Sequence, residues 1–355
     1  MSPLPMSIFG ALIERKGRAM DDYNFYEEQG FPFSGKQKEK LKAFLAAYDL
    51  HYDEQIEATV NLMDEDGNIA ATCSLHDNVL KCVAVSKDYQ GHGLSVRVVT
   101  QVCNLAVERG KTHLFLFTKP DNKQMFLDMG FYPILETKDV LLAENRKNGI
   151  KNYVAQLERR DGDSIGAIVV NCNPFTNGHR YLIETAARQC DVLHLFVLSE
   201  DKSEFPADVR YELVRQGVAD LPNILLHKTS DYLISSAVFP TYFIKEQSKA
   251  EDANCALDIR IFCEYFAKGL GVTKRFVGTE PSCVVTNAYN AKMKELLPQY
   301  GIELIEIERK QLDGMPISAS SVRRLLHEGD MQAVKKLVPP TTFAYLQQHQ
   351  AQYQK

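Results

Sequence analysis

The residues best suited to chemistry in this chain form a short junction at 176–179, Thr-Asn-Gly-His. A β-branched run from Ile165 to Val170 precedes it and predicts a parallel strand that is covered on both faces. From Tyr181 onward the apolar residues take helical spacing. A helix that opens directly after a strand presents unpaired N–H groups and a partial positive charge. The junction is therefore predicted to bind a phosphate.

Two side chains give this junction a catalytic character. His179 follows Thr176 by three residues, so both can face one phosphate from a single helical turn. A histidine there can donate a hydrogen bond to a phosphoryl oxygen as negative charge develops during displacement at the α-phosphorus. Gly178 allows the backbone to approach a ligand closely. The alternative interpretation is that Asn-Gly makes a turn and His179 caps a helix.

A second segment of similar character lies far downstream at 317–323, Ile-Ser-Ala-Ser-Ser-Val-Arg. Ser318 and Ser320 are suitable N-cap residues for the helix that this pattern predicts from Val322 to Leu326. Arg323, in the first turn, would supply a forked cation for the β- and γ-phosphates of a nucleotide.

Together the two segments resemble the signature motifs of the nucleotidyltransferase superfamily, Thr/His-x-Gly-His and Ile-Ser-Ser/Thr-Thr-x-x-Arg. Ser320 departs from the usual Thr but keeps the hydroxyl. The resemblance implies ATP as a ligand, with Mg²⁺ bound through its phosphates rather than by a protein metal site. It implies that Thr176, His179 and Arg323 are catalytic. The ATP-binding residues that it implies are Asn173, Phe175, Gly178, Ser318 and Ser320.

The pattern around this site alternates between strands and helices. Apolar strand segments recur at 192–198, 224–227, 274–277 and 302–307, with helical segments between them. This order predicts a Rossmann-like, doubly wound parallel sheet with ATP across the carboxyl ends of its strands. Arg309 and Lys310 add positive charge just beyond the last strand.

A tight turn follows the strand at 274–277. Gly278 would allow close approach to the adenosine, and Glu280 would accept hydrogen bonds from the ribose or the base. An ordinary turn explains the same residues equally well.

Composition limits the function classes. The 355 residues suffice for two domains. With 41 Lys and Arg against 46 Asp and Glu, the net charge of -5 predicts no nucleic-acid partner. The eight cysteines include no C-x-x-C pair, so buried thiols in a reducing compartment are favoured over a zinc site. No apolar run approaches the ~18 residues that cross a bilayer. The sequence thus predicts a cytoplasmic protein without a membrane partner.

The amino-terminal part contains a glycine-rich turn at 90–95, Gln-Gly-His-Gly-Leu-Ser, between a predicted strand and helix. Such a turn leaves N–H groups free to hold a pyrophosphate. It resembles the coenzyme A-binding turn of the GNAT acetyltransferases, Gln/Arg-x-x-Gly-x-Gly/Ala, except at Ser95. The resemblance assigns a pantetheine or CoA-like group to Val83, Val85, Gln90, Gly91, Gly93 and Ser95. The alternative is a plain connection between strand and helix.

A further segment at 122–131 resembles the GNAT pattern Asn-x(3)-Phe/Tyr-x-x-x-Gly-Phe. Active members often carry a tyrosine general acid four residues before the glycine, where this chain has Phe126. A phenyl ring cannot donate a proton. The sequence therefore favours a module that binds a pantetheine-bearing group over one that transfers acetyl by itself.

The predicted organisation joins these two modules. It comprises an extension at 1–20, a GNAT-like α+β domain at 21–145, a linker at 146–162, a nucleotidyltransferase domain at 163–345 and a tail at 346–355.

This order of modules resembles the citrate lyase ligase family over nearly the whole chain. The resemblance implies that acetate attacks ATP to form acetyl-adenylate, and that the prosthetic thiol on the acyl carrier subunit of citrate lyase then takes the acetyl group. Two rivals remain open: another adenylyltransferase acting on a phosphorylated cofactor precursor, and a GNAT-type acetyltransferase whose second domain senses nucleotide. Candidates for contacting acetate are Lys202, Arg210, Phe239 and Tyr242.

Overall fold

The computed structural model describes residues 24–199, 203–233, 255–279 and 284–353. The pattern of internal contacts divides the chain into two compact units between Leu114 and Phe115. The predicted extension at 1–20 lies outside the described residues. Within the described ranges, no helix is both long and apolar enough to cross a membrane.

The first unit contains four antiparallel strands in the order β1-β2-β3-β4. Every residue of β2 and β3 is buried, and the helix Leu94–Glu108 packs on these strands through Val98, Val99 and Val102. A second helix covers Gly35–Ala46. The strands are β1 (Tyr26–Gly30), β2 (Ala58–Met63), β3 (Ile69–His76) and β4 (Val79–Val85).

The second unit begins with three antiparallel strands in the order β5-β7-β6. They are β5 (Phe115–Thr118), β6 (Tyr132–Glu136) and β7 (Leu141–Glu144). Short helices cover Lys123–Asp128 and Gly149–Gln156.

These three strands are tied to the rest of the second unit by hydrogen bonds. Tyr232 Oη donates to Glu144 Oε2 at 2.7 Å, and Tyr265 Oη donates to the carbonyl of Ile134 at 2.5 Å. Such bonds explain why β5, β6 and β7 belong to the second unit. The predicted linker at 146–162, which contains the helix Gly149–Gln156, stays a prediction.

A parallel sheet forms the centre of the second unit and confirms the predicted fold class. The strand order is β10-β9-β8-β11-β12, all parallel. The chain runs outward from β8 through β9 to β10 and returns beside β8 as β11. Ligands of such sheets bind where the strand order reverses, which here is at the carboxyl ends of β8 and β11. The strands are β8 (Ile165–Val170), β9 (Val192–Val197), β10 (Ile224–Lys228), β11 (Lys274–Gly278) and β12 (Glu303–Ile307).

Apolar layers cover both faces of this sheet. On one face the helices Asn177–Ala187 and Ala207–Gly217 bury their apolar sides against the strands. On the other face lies a helical segment at 255–270, which is π-helical over Phe262–Ala267. Phe196 of β9 meets Phe266 of this segment edge to face, with ring centroids 5.5 Å apart. Covering both faces keeps the strands rigid and leaves their ends free for function.

The carboxyl-terminal part completes the second unit. The two-residue strands β13 (Gln311–Leu312) and β14 (Met315–Pro316) pair as a hairpin after β12. The helices of this part are Val284–Leu296, Ala319–His327, Met331–Leu337, Pro340–Gln348 and Gln350–Tyr353.

Arg210 holds the loops that follow β8 and β9, although it was a candidate for binding acetate. Its side chain is completely buried. Nη1 donates to the carbonyls of Asn171 and Leu198, each at 2.9 Å, and Nε donates to the carbonyl of Phe205 at 3.0 Å. Nη1 also donates to the side-chain Oδ1 of Asn171 at 2.6 Å. The guanidinium is thus committed to acceptors within the protein, so the structure assigns it a scaffold role.

Replacing Arg210 by Met would leave three carbonyl oxygens without these donors. We expect Arg210→Met to lower the free energy of unfolding by about 3 kcal/mol or more, as measured by urea denaturation. Arg215→Met is the matched control, because Arg215 lies on the same helix and pairs with Glu212 at the exposed surface. Its expected effect is within about 0.5 kcal/mol. Equal effects of the two substitutions would contradict the scaffold role.

Candidate active site

The carboxyl ends of β8, β11 and β12 border a cavity of about 550 Å³, a volume typical of small-molecule sites. Both predicted motifs reach it, together with the end of β11. The predicted residues that line it are Thr176, Gly178, His179, Gly278, Ser318, Ser320 and Arg323. The sheet therefore brings together two segments that are distant in sequence.

The two motifs are in direct backbone contact. A Cβ atom on Gly178 would lie 2.9 Å from the carbonyl oxygen of Ile317. That separation is too short for an ordinary side chain without movement of the backbone. Glycine is thus needed here for the approach of the second motif, whereas the sequence interpretation assigned the close approach to a ligand.

Thr176 fixes the orientation of His179. Thr176 is the N-cap of the helix Asn177–Ala187, and its Oγ1 accepts from the His179 backbone N–H at 3.3 Å. In return the Thr176 backbone N–H donates to His179 Nδ1 at 3.1 Å, and Thr176 Oγ1 lies 2.9 Å from the same nitrogen. Because a backbone N–H only donates, Nδ1 is an acceptor and the neutral ring carries its proton on Nε2.

The charge state of His179 follows from its surroundings. Removal from water lowers the pKa of the imidazole to about 4, and the positive charge of Arg309 acts in the same direction. His179 is therefore neutral at physiological pH. It offers one N–H donor at Nε2 to the cavity rather than a full positive charge.

The second motif is also built around a helix cap, as predicted. Ser318 is the N-cap of the helix Ala319–His327, and its Oγ accepts from the Ser321 backbone N–H at 3.1 Å. Ser320 Oγ lies 3.0 Å from Ser318 Oγ, so two hydroxyls stand together at the cavity. The helix begins three residues earlier than the predicted Val322.

Two residues predicted to bind ATP have structural roles instead. Asn173 is absent from the cavity lining; its carbonyl accepts from Arg323 Nη1 at 2.5 Å and its Oδ1 accepts from the Phe205 N–H at 3.0 Å. Phe175 has no exposed surface and stacks beside His179, with ring centroids 6.1 Å apart. Both residues support the side chains that line the cavity.

The third predicted region follows β11. Gly278 lines the cavity, but a Cβ atom there would meet no other atom within 4 Å. The protein itself therefore places no steric demand on this glycine. Glu280 lies outside the described residues, as do Lys202, Phe239 and Tyr242.

The described lining of the cavity is strongly cationic. It contains one carboxylate, Glu308, and four basic side chains: Arg275, Arg309, Lys310 and Arg323. Such a balance favours a polyanion such as a nucleotide phosphate chain. Among the residues with described placement, no group of three or more His, Cys, Asp and Glu side chains could hold a metal ion.

Sequence reasoning missed Arg275. The only signal was a second basic residue within a strand pattern, Lys-Arg-Phe-Val-Gly. A basic residue inside a buried strand is uncommon unless it is paired or functional.

The glycine-rich turn at 90–95, which was predicted to bind a pantetheine or CoA-like group, lies in the first unit. Gly91 and Gly93 have φ values of +85° and +72°, and a Cβ atom on either would meet no other atom within 4 Å. Gly93 is the N-cap of the helix Leu94–Glu108. Of the other predicted residues, Gln90 is exposed, while Val83, Val85 and Ser95 are half-buried. The two glycines of the turn are thus exposed, and the binding of a pantetheine-bearing group here stays a prediction.

Comparison with known proteins relates both units to described families. Residues 165–346 match the model of the citrate lyase ligase C-terminal domain, and residues 20–132 match that of the acetyltransferase (GNAT) family. The chain is 45% identical over 320 residues to the citrate (pro-3S)-lyase ligase of Escherichia coli K12, covering 88% of this chain and 91% of that protein. The protein of that name from Klebsiella pneumoniae is 43% identical, covering 88% and 93%. That from Haemophilus influenzae is 41% identical, covering 88% and 96%.

The environment of His179 predicts an unusual titration. We expect the imidazole to titrate near pH 4 in the folded protein, against an ordinary value of 6.5. His179 then binds its proton more tightly in the unfolded chain than in the folded protein. The contribution of His179 to stability is therefore present above pH 6.5 and is lost as the pH falls through 4. The Cε1 proton resonance in NMR spectra, assigned with His179→Gln, measures the midpoint, and a value above 6 would contradict this environment.

Proposed function

Since this chain belongs to the citrate lyase ligase family, we propose that it activates citrate lyase with acetate and ATP. In this proposal the prosthetic thiol of the acyl carrier subunit of citrate lyase becomes acetylated, and AMP and pyrophosphate are released. The observation that carries the proposal is the position of a neutral His179 in one cavity with Arg323 of the second motif and with Arg309 and Lys310. The free thiols among the described cysteines suit the reducing cytoplasm in which we place the reaction.

The first step forms a bond between an acetate oxygen and the α-phosphorus of ATP. The bond from that phosphorus to the β-bridging oxygen breaks, and pyrophosphate departs with the electron pair. Acetate is already ionised at neutral pH, so the step needs no general base. The protein contributes by holding the two substrates in line and by stabilising charge on the phosphoryl oxygens.

His179 and the start of the helix that contains it provide that stabilisation. His179 Nε2–H donates to a non-bridging oxygen of the α-phosphate, and the open N–H groups of the helix Asn177–Ala187 face the same charge. A neutral donor is suitable, because it keeps its proton throughout the step. Thr176 holds the donor in this tautomer.

The remaining phosphates are assigned to the cationic rim of the cavity. Arg323, Arg309 and Lys310 lie beyond the strand ends and match the charge of a pyrophosphate leaving group. Mg²⁺ bound to the phosphates would neutralise further charge on the departing oxygen. The side chains that line the cavity fit a metal held through ATP better than one held by protein ligands.

In the second step the carrier's thiolate attacks the acetyl carbonyl of acetyl-adenylate. A thioester forms and AMP leaves. We assign the nucleotide-like end of the prosthetic arm to the glycine-rich turn at 90–95, in which Gly91 and Gly93 are exposed. Phe126 supports binding over transfer in this GNAT-like module: it is 3% exposed, packs edge to face on Phe131, and has no hydroxyl to protonate a departing thiolate.

The first step is tested by ATP–pyrophosphate exchange in the presence of Mg²⁺. We expect exchange that depends on acetate, and we expect His179→Ala to lower its rate about 10²- to 10³-fold. Arg188→Met is the control, since Arg188 lies at the exposed end of the same helix and pairs with Glu184. Exchange that requires a phosphorylated acceptor instead of acetate would identify a different adenylyltransferase. Release of coenzyme A from acetyl-CoA without ATP would identify an acetyltransferase.

The role of the glycine-rich turn is tested separately with Gly93→Leu. A side chain at this positive φ distorts the turn, so we expect acylation of the carrier thiol to slow by about tenfold or more. Acetate-dependent exchange should be retained. Gly110→Leu introduces the same backbone strain, at φ +78°, beyond the other end of this helix, and should preserve both steps. Equal loss of both steps in Gly93→Leu would refute the assignment.

A further inference from the structure

Arg275 is a buried cation whose donors are incompletely used. Its side chain is 6% exposed, yet it lines the cavity that holds both motifs. Nε and Nη1 are buried and have no hydrogen-bond partner among the described residues. A buried guanidinium with unmet donors destabilises the protein, because it has lost its contact with water. The arrangement therefore calls for an acceptor that enters through the cavity.

The neighbours of Arg275 leave these two donors without a hydrogen-bond partner. The ring of Phe262 lies over its central carbon, with 4.5 Å to the ring centroid, and occupies one flat face. Asp258 is also buried, but its Oδ2 accepts from the Tyr289 hydroxyl, and neither Nε nor Nη1 of Arg275 forms a hydrogen bond with it. Burial lowers the pKa of the Arg275 guanidinium, while the nearby Tyr289 and Asp258 act in the opposite direction.

The depth of Arg275 distinguishes it from the other cations. In the sheet it stands opposite Ala167 of β8 and three residues before Gly278. Because strands rise about 3.3 Å per residue, its Cα lies roughly 10 Å below the end of β11. The phosphate-binding helices begin at the strand ends, where Arg309 and Lys310 also lie. A highly charged triphosphate belongs at that open rim, whereas the floor suits a small anion with two coplanar oxygens.

We propose that Arg275 binds the carboxylate of acetate at the floor of the cavity and positions it for attack on the α-phosphorus. This inference rests on the proposed function. The Nε–H and the neighbouring Nη2–H, which point to the same side of the guanidinium, meet the two carboxylate oxygens as a fork. One oxygen then forms the bond to phosphorus as pyrophosphate leaves. The other becomes the carbonyl oxygen of acetyl-adenylate and still accepts from the guanidinium. Arg275 takes the role for which Arg210 was a candidate.

The test measures acetate-dependent ATP–pyrophosphate exchange in Arg275→Met. We expect the KM for acetate to rise about tenfold to a hundredfold, and the KM for ATP to change less than about threefold, since a charged hydrogen-bonded contact to acetate alone is lost. Lys274→Met is the matched control. Lys274 is the adjacent residue on the opposite face of the strand and donates to the Gln189 carbonyl, so both KM values should stay at the wild-type level.

Arg275→Lys provides a second variant in case the Met side chain prevents folding. It keeps the charge but loses the fork, so we expect a smaller rise in the KM for acetate and again little change for ATP. A rise in the KM for ATP alone would assign Arg275 to a phosphate, and a fall in kcat with both KM values unchanged would make it structural. Either result overturns the inference. If the wild-type chain shows no acetate-dependent exchange, the proposed function itself fails.

Discussion

The backbone of Gly178 approaches the carbonyl oxygen of Ile317 more closely than a side chain at this position would permit. This contact joins the start of one helix to the segment that leads into another. Because each helix begins with a capped first turn, the contact places two sets of open N–H groups beside the same cavity. Arg323 strengthens the connection by donating to the carbonyl of Asn173 in the loop before the first helix. The cavity therefore depends on the sheet order that brings these segments together.

The cavity combines positively charged side chains at its rim with a neutral histidine. The rim carries Arg309, Lys310 and Arg323, where solvent moderates their mutual repulsion. His179 stays neutral near these cations, because burial and a neighbouring positive charge both oppose its protonation. A charged imidazole would add to the repulsion when the site is empty. A neutral one donates a hydrogen bond without that cost, and Thr176 determines which nitrogen holds the proton.

Buried residues next to the cavity hold the side chains that line it. Phe175 and Asn173 were expected to contact nucleotide, yet they contact His179 and Arg323, which line the cavity, from behind. Arg210 ties the loops after two neighbouring strands to one helix. Preorganised donors contribute most to catalysis when they do not need to rearrange. These buried contacts keep the donors in place between turnovers.

The sequence by itself determined the features that depend on a few consecutive residues. The change from strand to helical periodicity and the cap at Ser318 could be predicted, because a cap involves only the next turn of the chain. The alternating order of strands and helices also predicted a parallel sheet, since such connections have few allowed topologies.

Only the tertiary structure decided which of the motif residues face the cavity. Burial of Phe175, the partner of Gly178 and the depth of Arg275 each depend on neighbours that are distant in sequence. Arg275 reaches the floor because β11 returns beside β8, and a basic residue in a strand pattern carries no sign of that pairing. Long-range packing determines these positions, so no local pattern in the sequence predicts them.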